Sequence, residues 1–128
     1  MSGIYASARS ALWLGDIDIM SAAVRAIMVG PGYVYDDTDT VLDDVSNVIG
    51  TGVIVTITAV TDGEVTCEPV TFVAVPDGTV VAAIVTYIEG TETLIGYADR
   101  RADSVPLNPT AGTGGDMTFT FVDYLLKI

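Results

Sequence analysis

Val53-Ile54-Val55-Thr56-Ile57-Thr58-Ala59-Val60, then Thr61-Asp62-Gly63, then Glu64-Val65-Thr66-Cys67-Glu68, is the stretch that decides the fold class. β-Branched side chains fill the first run, and such residues fit the pleated surface of a strand better than a helix. Asp62-Gly63 is a pair that accepts positive φ, as a two-residue hairpin turn requires. Beyond it Glu64, Thr66 and Glu68 alternate with Val65 and Cys67, so one side of the second strand meets water and the other a core.

Working outward, the same signals recur. Residues 22–29 form an apolar run closed by Gly30-Pro31-Gly32, and the strand that opens at Glu64 is expected to continue through 64–75. After Asp77-Gly78, residues 79–88 make the most apolar strand of the chain, which the composition places at the centre of a sheet. Glu89-Gly90-Thr91-Glu92 joins it to 93–98 as a tight hairpin, and Met117-Thr118-Phe119-Thr120-Phe121-Val122 alternates cleanly as a last strand. Six short strands punctuated by turns predict a mainly β fold, a β-sandwich or barrel. Toward the N-terminus, Ile4, Ala8, Ala11 and Leu12 recur at helical spacing, with Ser2 placed to cap and Gly15 to stop a short helix. Residues 1–14 are therefore expected to form an N-terminal helical arm. Thr40 with Asp43 resembles a capping box before one helical turn holding Val41, Leu42 and Val45. Residues 102–115, with Pro106, Pro109 and Gly112-Thr113-Gly114-Gly115, read as a linker-like loop before the last strand. At 128 residues the whole chain, 1–128, is the size of a single β-rich domain.

Charge narrows the partners. Seventeen acidic residues against five basic ones give a net charge of −12, and Arg9, Arg25, Arg100, Arg101 and Lys127 are too dispersed to track phosphates, so no direct nucleic-acid binding is expected. The apolar runs are shorter than the roughly 20 residues of a membrane helix, and no signal-peptide pattern opens the chain, so a soluble protein made inside the cell, without a membrane partner, is expected.

Candidate chemistry is sparse. The acidic stretch around Asp37, Asp39 and Asp43 offers weak candidates for a hard-cation site, but Val41 occupies a ligand position of a calcium-loop pattern. Turn and capping roles account for these acids, and no metal is expected. Gly112-Thr113-Gly114-Gly115 lacks the Lys-Ser/Thr of a phosphate-binding loop and precedes a strand. There is no histidine, and the lone Cys67 has no basic neighbour to activate it. No enzyme activity and no cofactor are expected. The residues that stand out instead are apolar and aromatic: Ile4, Tyr5, Leu12, Trp13 and Leu14 in the N-terminal segment, Tyr33 and Tyr35 in the acidic loop, and Tyr124 near the end. Aromatic residues in such places are enriched at protein interfaces, which makes this set the expected contact surface.

Taken together, Gly15-Asp16-Ile17-Asp18-Ile19, Val24-Arg25-Ala26-Ile27-Met28-Val29, Tyr33, the Asp-rich loop ending Leu42-Asp43-Asp44-Val45 and Gly50-Thr51-Gly52 carry a resemblance. So do the hairpin with Leu94-Ile95-Gly96-Tyr97 and the closing Gly115-Asp116-Met117-Thr118-Phe119. In this order they resemble a family of small structural proteins from the virions of tailed bacteriophages. The chain departs from that family's ending, closing instead on Phe121-Val122-Asp123-Tyr124-Leu125-Leu126-Lys127-Ile128. The resemblance implies a virion component made in the host cytoplasm. Its expected role is a capsid decoration or cement protein that binds the major capsid protein lattice, arranged as a symmetric homo-oligomer such as a trimer. A neck or tail structural protein of the same virion is the alternative it implies. A calcium- or ligand-binding β module is the alternative from a different class.

Overall fold

The computed structural model describes residues 2–75, 79–98, 116–119 and 125–127. The chain is mainly β, with one short helix near the N-terminus and several antiparallel sheets, and no barrel closes among the described residues. Strands β1 (Ser2–Ile4), β2 (Val24–Val29), β3 (Val48–Ile54), β7 (Ala83–Ile88) and β8 (Leu94–Ala98) build a five-stranded sheet in the order β1-β8-β7-β2-β3. Strands β4 (Ile57–Thr61), β5 (Glu64–Cys67) and β10 (Leu126–Lys127) form a second sheet, and β6 (Val70–Phe72) pairs with β9 (Met117–Phe119). The helix α1 spans Ala6–Leu14. Residues 99–115 and 120–124, which hold the expected linker-like loop and the end of the last strand, lie outside the described residues.

The large sheet is buried on both faces, which explains why β7 and β8 read as unbroken apolar runs. On one face Val24, Ala26 and Met28 of β2 and Ile84 of β7 pack with Val65, Val70, Phe72 and Phe119 of the smaller sheets. On the other, Ile27, Val29, Val85, Tyr87, Leu94 and Tyr97 pack under Tyr5, Tyr33 and Val45. Strand alternation sorts β2 and β7 between these clusters. In β8 a bulge does the sorting: Thr86 pairs with Gly96 but Tyr87 with Leu94, so Ile95 is one residue too many. The extra residue resets the parity, placing Leu94 and Tyr97 on the tyrosine side and Ile95 and Ala98 on the other. The expected central position of the most apolar strand holds, since β7 is the middle strand of five, although its regular part begins only at Ala83.

Both hairpin signals formed. Thr61 pairs with Glu64 across Asp62 and Gly63, which take φ of 53° and 79°, the left-handed pair that such a turn demands. The β7–β8 hairpin turns at Glu89-Gly90-Thr91-Glu92, with Gly90 at φ 94°.

Four expectations need correction. Residues 53–60 are not one strand: the ladder breaks at Val55-Thr56, where the Val55 amide donates to the Val24 carbonyl (2.9 Å) while the Thr56 carbonyl accepts from Glu68 (3.0 Å). Consecutive residues thus bond to different sheets, and the chain crosses from one layer to the other. Residues 64–75 also split, at Glu68-Pro69, where proline has no amide to continue a ladder. Ser2 does not cap the helix but lies in β1, paired with Ala98; Tyr5 holds the N-cap position without a side-chain cap bond. The expected helical stop is correct, with Gly15 at φ 81° and its amide bonded back to the last turn. Finally, the turn at Leu42–Asp44 is capped by Asp44 and not by Asp43, the Asp44 carboxylate accepting from the amides of Thr40 (2.9 Å) and Val41 (3.2 Å).

Gly50-Thr51-Gly52 lies inside β3 and opposes the single residue Ile27, because Ala26 pairs with Val53 and Met28 with Ile49. The bulge brings the Gly52 backbone against the buried Tyr87 ring, where a Cβ would meet the hydroxyl oxygen at 1.9 Å. Gly52→Ala is therefore expected to destabilise the fold by about 1–3 kcal/mol through overpacking, read from the urea midpoint. Gly50→Ala makes no such collision, and its cost arises from the left-handed backbone at φ 68° alone.

Candidate functional site

Two clusters gather the residues singled out above, and they are chemically opposite. The first is internal. Tyr5 follows β1, Tyr33 and Tyr35 come from the segment after β2, and Tyr97 comes from β8. Their rings stack obliquely, Tyr35 on Tyr97 at 4.9 Å between centroids, Tyr5 on Tyr35 at 5.1 Å and Tyr33 on Tyr97 at 6.0 Å. The Tyr33 hydroxyl donates to Asp39 at 2.8 Å. Its proton being committed there, the Tyr5 hydroxyl, 2.9 Å away, donates to Tyr33. A chain Tyr5 to Tyr33 to Asp39 thus carries a buried hydroxyl out to a carboxylate at the edge of the core. Tyr35 donates to the Ile4 carbonyl at 3.2 Å, and the Asp37 carbonyl accepts from the Ala6 amide at 2.9 Å.

The acidic loop is therefore a lid for the tyrosines. The Asp36 carboxylate accepts from the amide and hydroxyl of Thr38, which hold it below the usual range, and Asp44 is held down likewise by the amides it caps. Asp37, Asp39 and Asp43 do not converge: among the described residues no three His, Cys, Asp or Glu side chains approach closely enough to hold a metal ion. Cys67 is half-buried, and burial pushes its thiol up to about 11, the opposite of an activated nucleophile.

The second cluster is external. After Gly15 the chain turns back toward β2 through a rigid corner, in which the Asp18 carboxylate accepts from the Met20 amide and the Ser21 hydroxyl, both at 3.1 Å. Between this corner, the last turn of α1 and the β4–β5 hairpin runs an open groove of about 600 Å³, lined by Leu12, Trp13, Ile17, Ile19, Met20 and Val60 together with Gly15, Asp18 and Gly63. Ile19 anchors its floor to the core, while Trp13 is 77% exposed, Met20 52% and Val60 39%. Leu14 beside it is as exposed as Trp13.

The expected contact set thus divides. Ile4, Tyr5 and Tyr33 are buried in the chain's own core and so present no surface to a partner, while the half-buried Tyr35 packs against the tyrosine cluster. Residues 2–8 are correspondingly not a free arm: β1 is paired into the sheet, and Ala8 is the buried residue of α1. Leu12 is half-buried against the core, and only Trp13 and Leu14 project. Tyr124 lies outside the described residues. The sequence reading missed Ile17, Met20 and Val60, whose one signal was an apolar residue beside a turn in each case.

No protein-family model matches the chain, and neither a curated protein nor a solved structure matches it.

The tyrosine chain fixes an order of effects. Tyr33→Phe leaves the buried Tyr5 hydroxyl without an acceptor and is expected to cost about 1–3 kcal/mol, whereas Tyr5→Phe removes only a donor and costs about 0.5–1.5 kcal/mol. Burial, reinforced by the Asp39 charge, pushes the Tyr33 hydroxyl from 10.0 up to about 12, and burial raises Tyr5 further. Both groups stay neutral in the folded chain while they ionise in the unfolded one, so their stabilisation is complete below pH 10 and is lost as pH rises toward 12 and beyond. Urea titrations across that window should show stability falling with pH, less steeply in Tyr5→Phe. A pH-independent midpoint would contradict the buried pair.

Proposed function

We propose that this protein is a structural, non-enzymatic component that works by binding other proteins, and specifically a capsid decoration or cement protein of a tailed-bacteriophage virion. The observation that carries the reading is the groove beside α1. Trp13 stands exposed on the last turn of α1 and Met20 on the adjoining corner held by the Asp18 hydrogen bonds, while Tyr5 and Tyr33 are committed to the interior. An exposed tryptophan on a rigid support is the kind of side chain that dominates binding energy at an interface. A β body closed on both faces of its main sheet suits a part that must hold its shape while contacting a lattice. The net charge of −12 limits non-specific self-association before assembly. The virion assignment draws on the order of sequence elements that resembles the phage family, and no cofactor enters the reading.

Trp13→Ala should leave the melting temperature of the isolated chain unchanged, because the ring contributes little to the core, and should weaken assembly by about 2 kcal/mol or more. A large loss of monomer stability with assembly intact would overturn the proposal. Copy number in purified particles then divides the two virion roles: hundreds of copies fit the shell, a few to a few tens fit the neck or tail, and absence refutes both.

A further inference from the structure

We infer that the groove beside α1 receives a segment of a different protein in which apolar side chains are flanked by lysine or arginine. This deepens the binding role proposed above and rests on it. The floor and walls call for apolar side chains. The rim specifies charge. Asp18 lines the groove, Asp16 stands exposed between the lining residues Gly15 and Ile17, and Asp62 stands exposed between Val60 and Gly63. Among the described residues no lysine or arginine lines the groove, and the two described arginine side chains are engaged elsewhere. Arg9 donates to the Ile4 carbonyl, and Arg25 pairs with Glu89 and donates to the Gly52 carbonyl.

An apolar trough edged by Asp16, Asp18 and Asp62 is complementary to a basic amphipathic segment, and these acids steer and orient that segment before the apolar contacts close. The same rim argues against a second copy of this chain as the occupant. A two-fold contact through this face would bring the Asp16, Asp18 and Asp62 edges of the two copies into one interface, a like-charge arrangement that disfavours the pair.

Trp13 is the single tryptophan of the chain and lies in the groove wall, so its emission reports occupancy directly. The test titrates the full chain with two synthetic peptides that lack aromatic residues, a leucine-rich segment flanked by lysines and its twin with glutamates in place of the lysines. The lysine peptide is expected to shift Trp13 emission to the blue, saturably, and less tightly as salt is raised. Asp16→Asn and Asp62→Asn should each weaken it about threefold, the size of an exposed charge pair, with the asparagine at position 62 suited to the positive φ there. Met20→Ser should weaken binding as well. Val34→Ser, at a residue 81% exposed outside the groove, should not. Equal response to both peptides, no emission shift, or a shift that follows protein concentration alone with dimer formation would each overturn the inference. Should the peptides fail while Trp13→Ala still lowers occupancy of particles, the inference falls and the structural role stands; should the lysine peptide bind while the chain is absent from particles, the groove stands and the virion role falls.

Discussion

A five-stranded sheet whose middle strands expose almost nothing to water must be covered on both sides, and that requirement organises the rest of this chain. Ile84, Leu94, Ile95 and Val85 are fully buried, and each burial contributes roughly 1.5–3 kcal/mol relative to exposure. Neither cover alone would suffice. The smaller sheets supply one, with Phe72 and Phe119 in edge-to-face contact at 5.8 Å. The other comes from the N-terminal residues and the acidic loop, which together lay a tyrosine layer over Val29, Val85 and Leu94.

The two covers differ in chemistry because they differ in backbone. A sheet satisfies its own amides and carbonyls, so the side chains it turns inward can be purely apolar. A loop brings unpaired backbone polar groups toward the core, and these need partners. The loop over the second face meets that need at several points: Leu42 donates to the Glu92 carbonyl, Leu94 to the Thr40 carbonyl, and Tyr35 to the Ile4 carbonyl. Tyrosine suits such a layer, since each ring supplies apolar area and its hydroxyl reaches a polar group at the margin. The aspartates close the network at its wet edge. Asp36, Asp39 and Asp44 thus serve the fold, and the external groove lies outside this network, at the far end of α1.

What was legible in the sequence follows from this division. Asp62-Gly63 and Glu89-Gly90-Thr91-Glu92 announced hairpins because those turns need backbone angles that few residues accept. The run before Glu89 announced a central strand because both of its faces are apolar. The crossing at Val55-Thr56 left no local mark: Val55 and Ile57 look alike in composition, and only the Val55 bond to Val24 and the pairing of Ile57 with Cys67 assign them to different sheets. The N-terminus misled for a related reason. Ser2, Ile4 and Ala8 fit a helix by spacing, but pairing with β8 and the burial of Tyr5 outweigh a propensity of a few tenths of a kcal/mol per residue. The groove was only half legible, since Trp13 came from a visible helix whereas Met20 and Val60 arrive from separate segments.

The central claim is that the N-terminal segment belongs to the core up to Ala8 and offers a partner only the far end of its helix. Amide hydrogen exchange on the isolated chain tests it most directly. The account predicts that the amides of Tyr5 and Ala6 exchange as slowly as those of β7 and β8, opening only with the whole sheet, because they donate to the Ile95 and Asp37 carbonyls and β1 is paired with β8. Rapid exchange at Tyr5 and Ala6 with β7 and β8 still protected would contradict it, and would return the segment to a free arm.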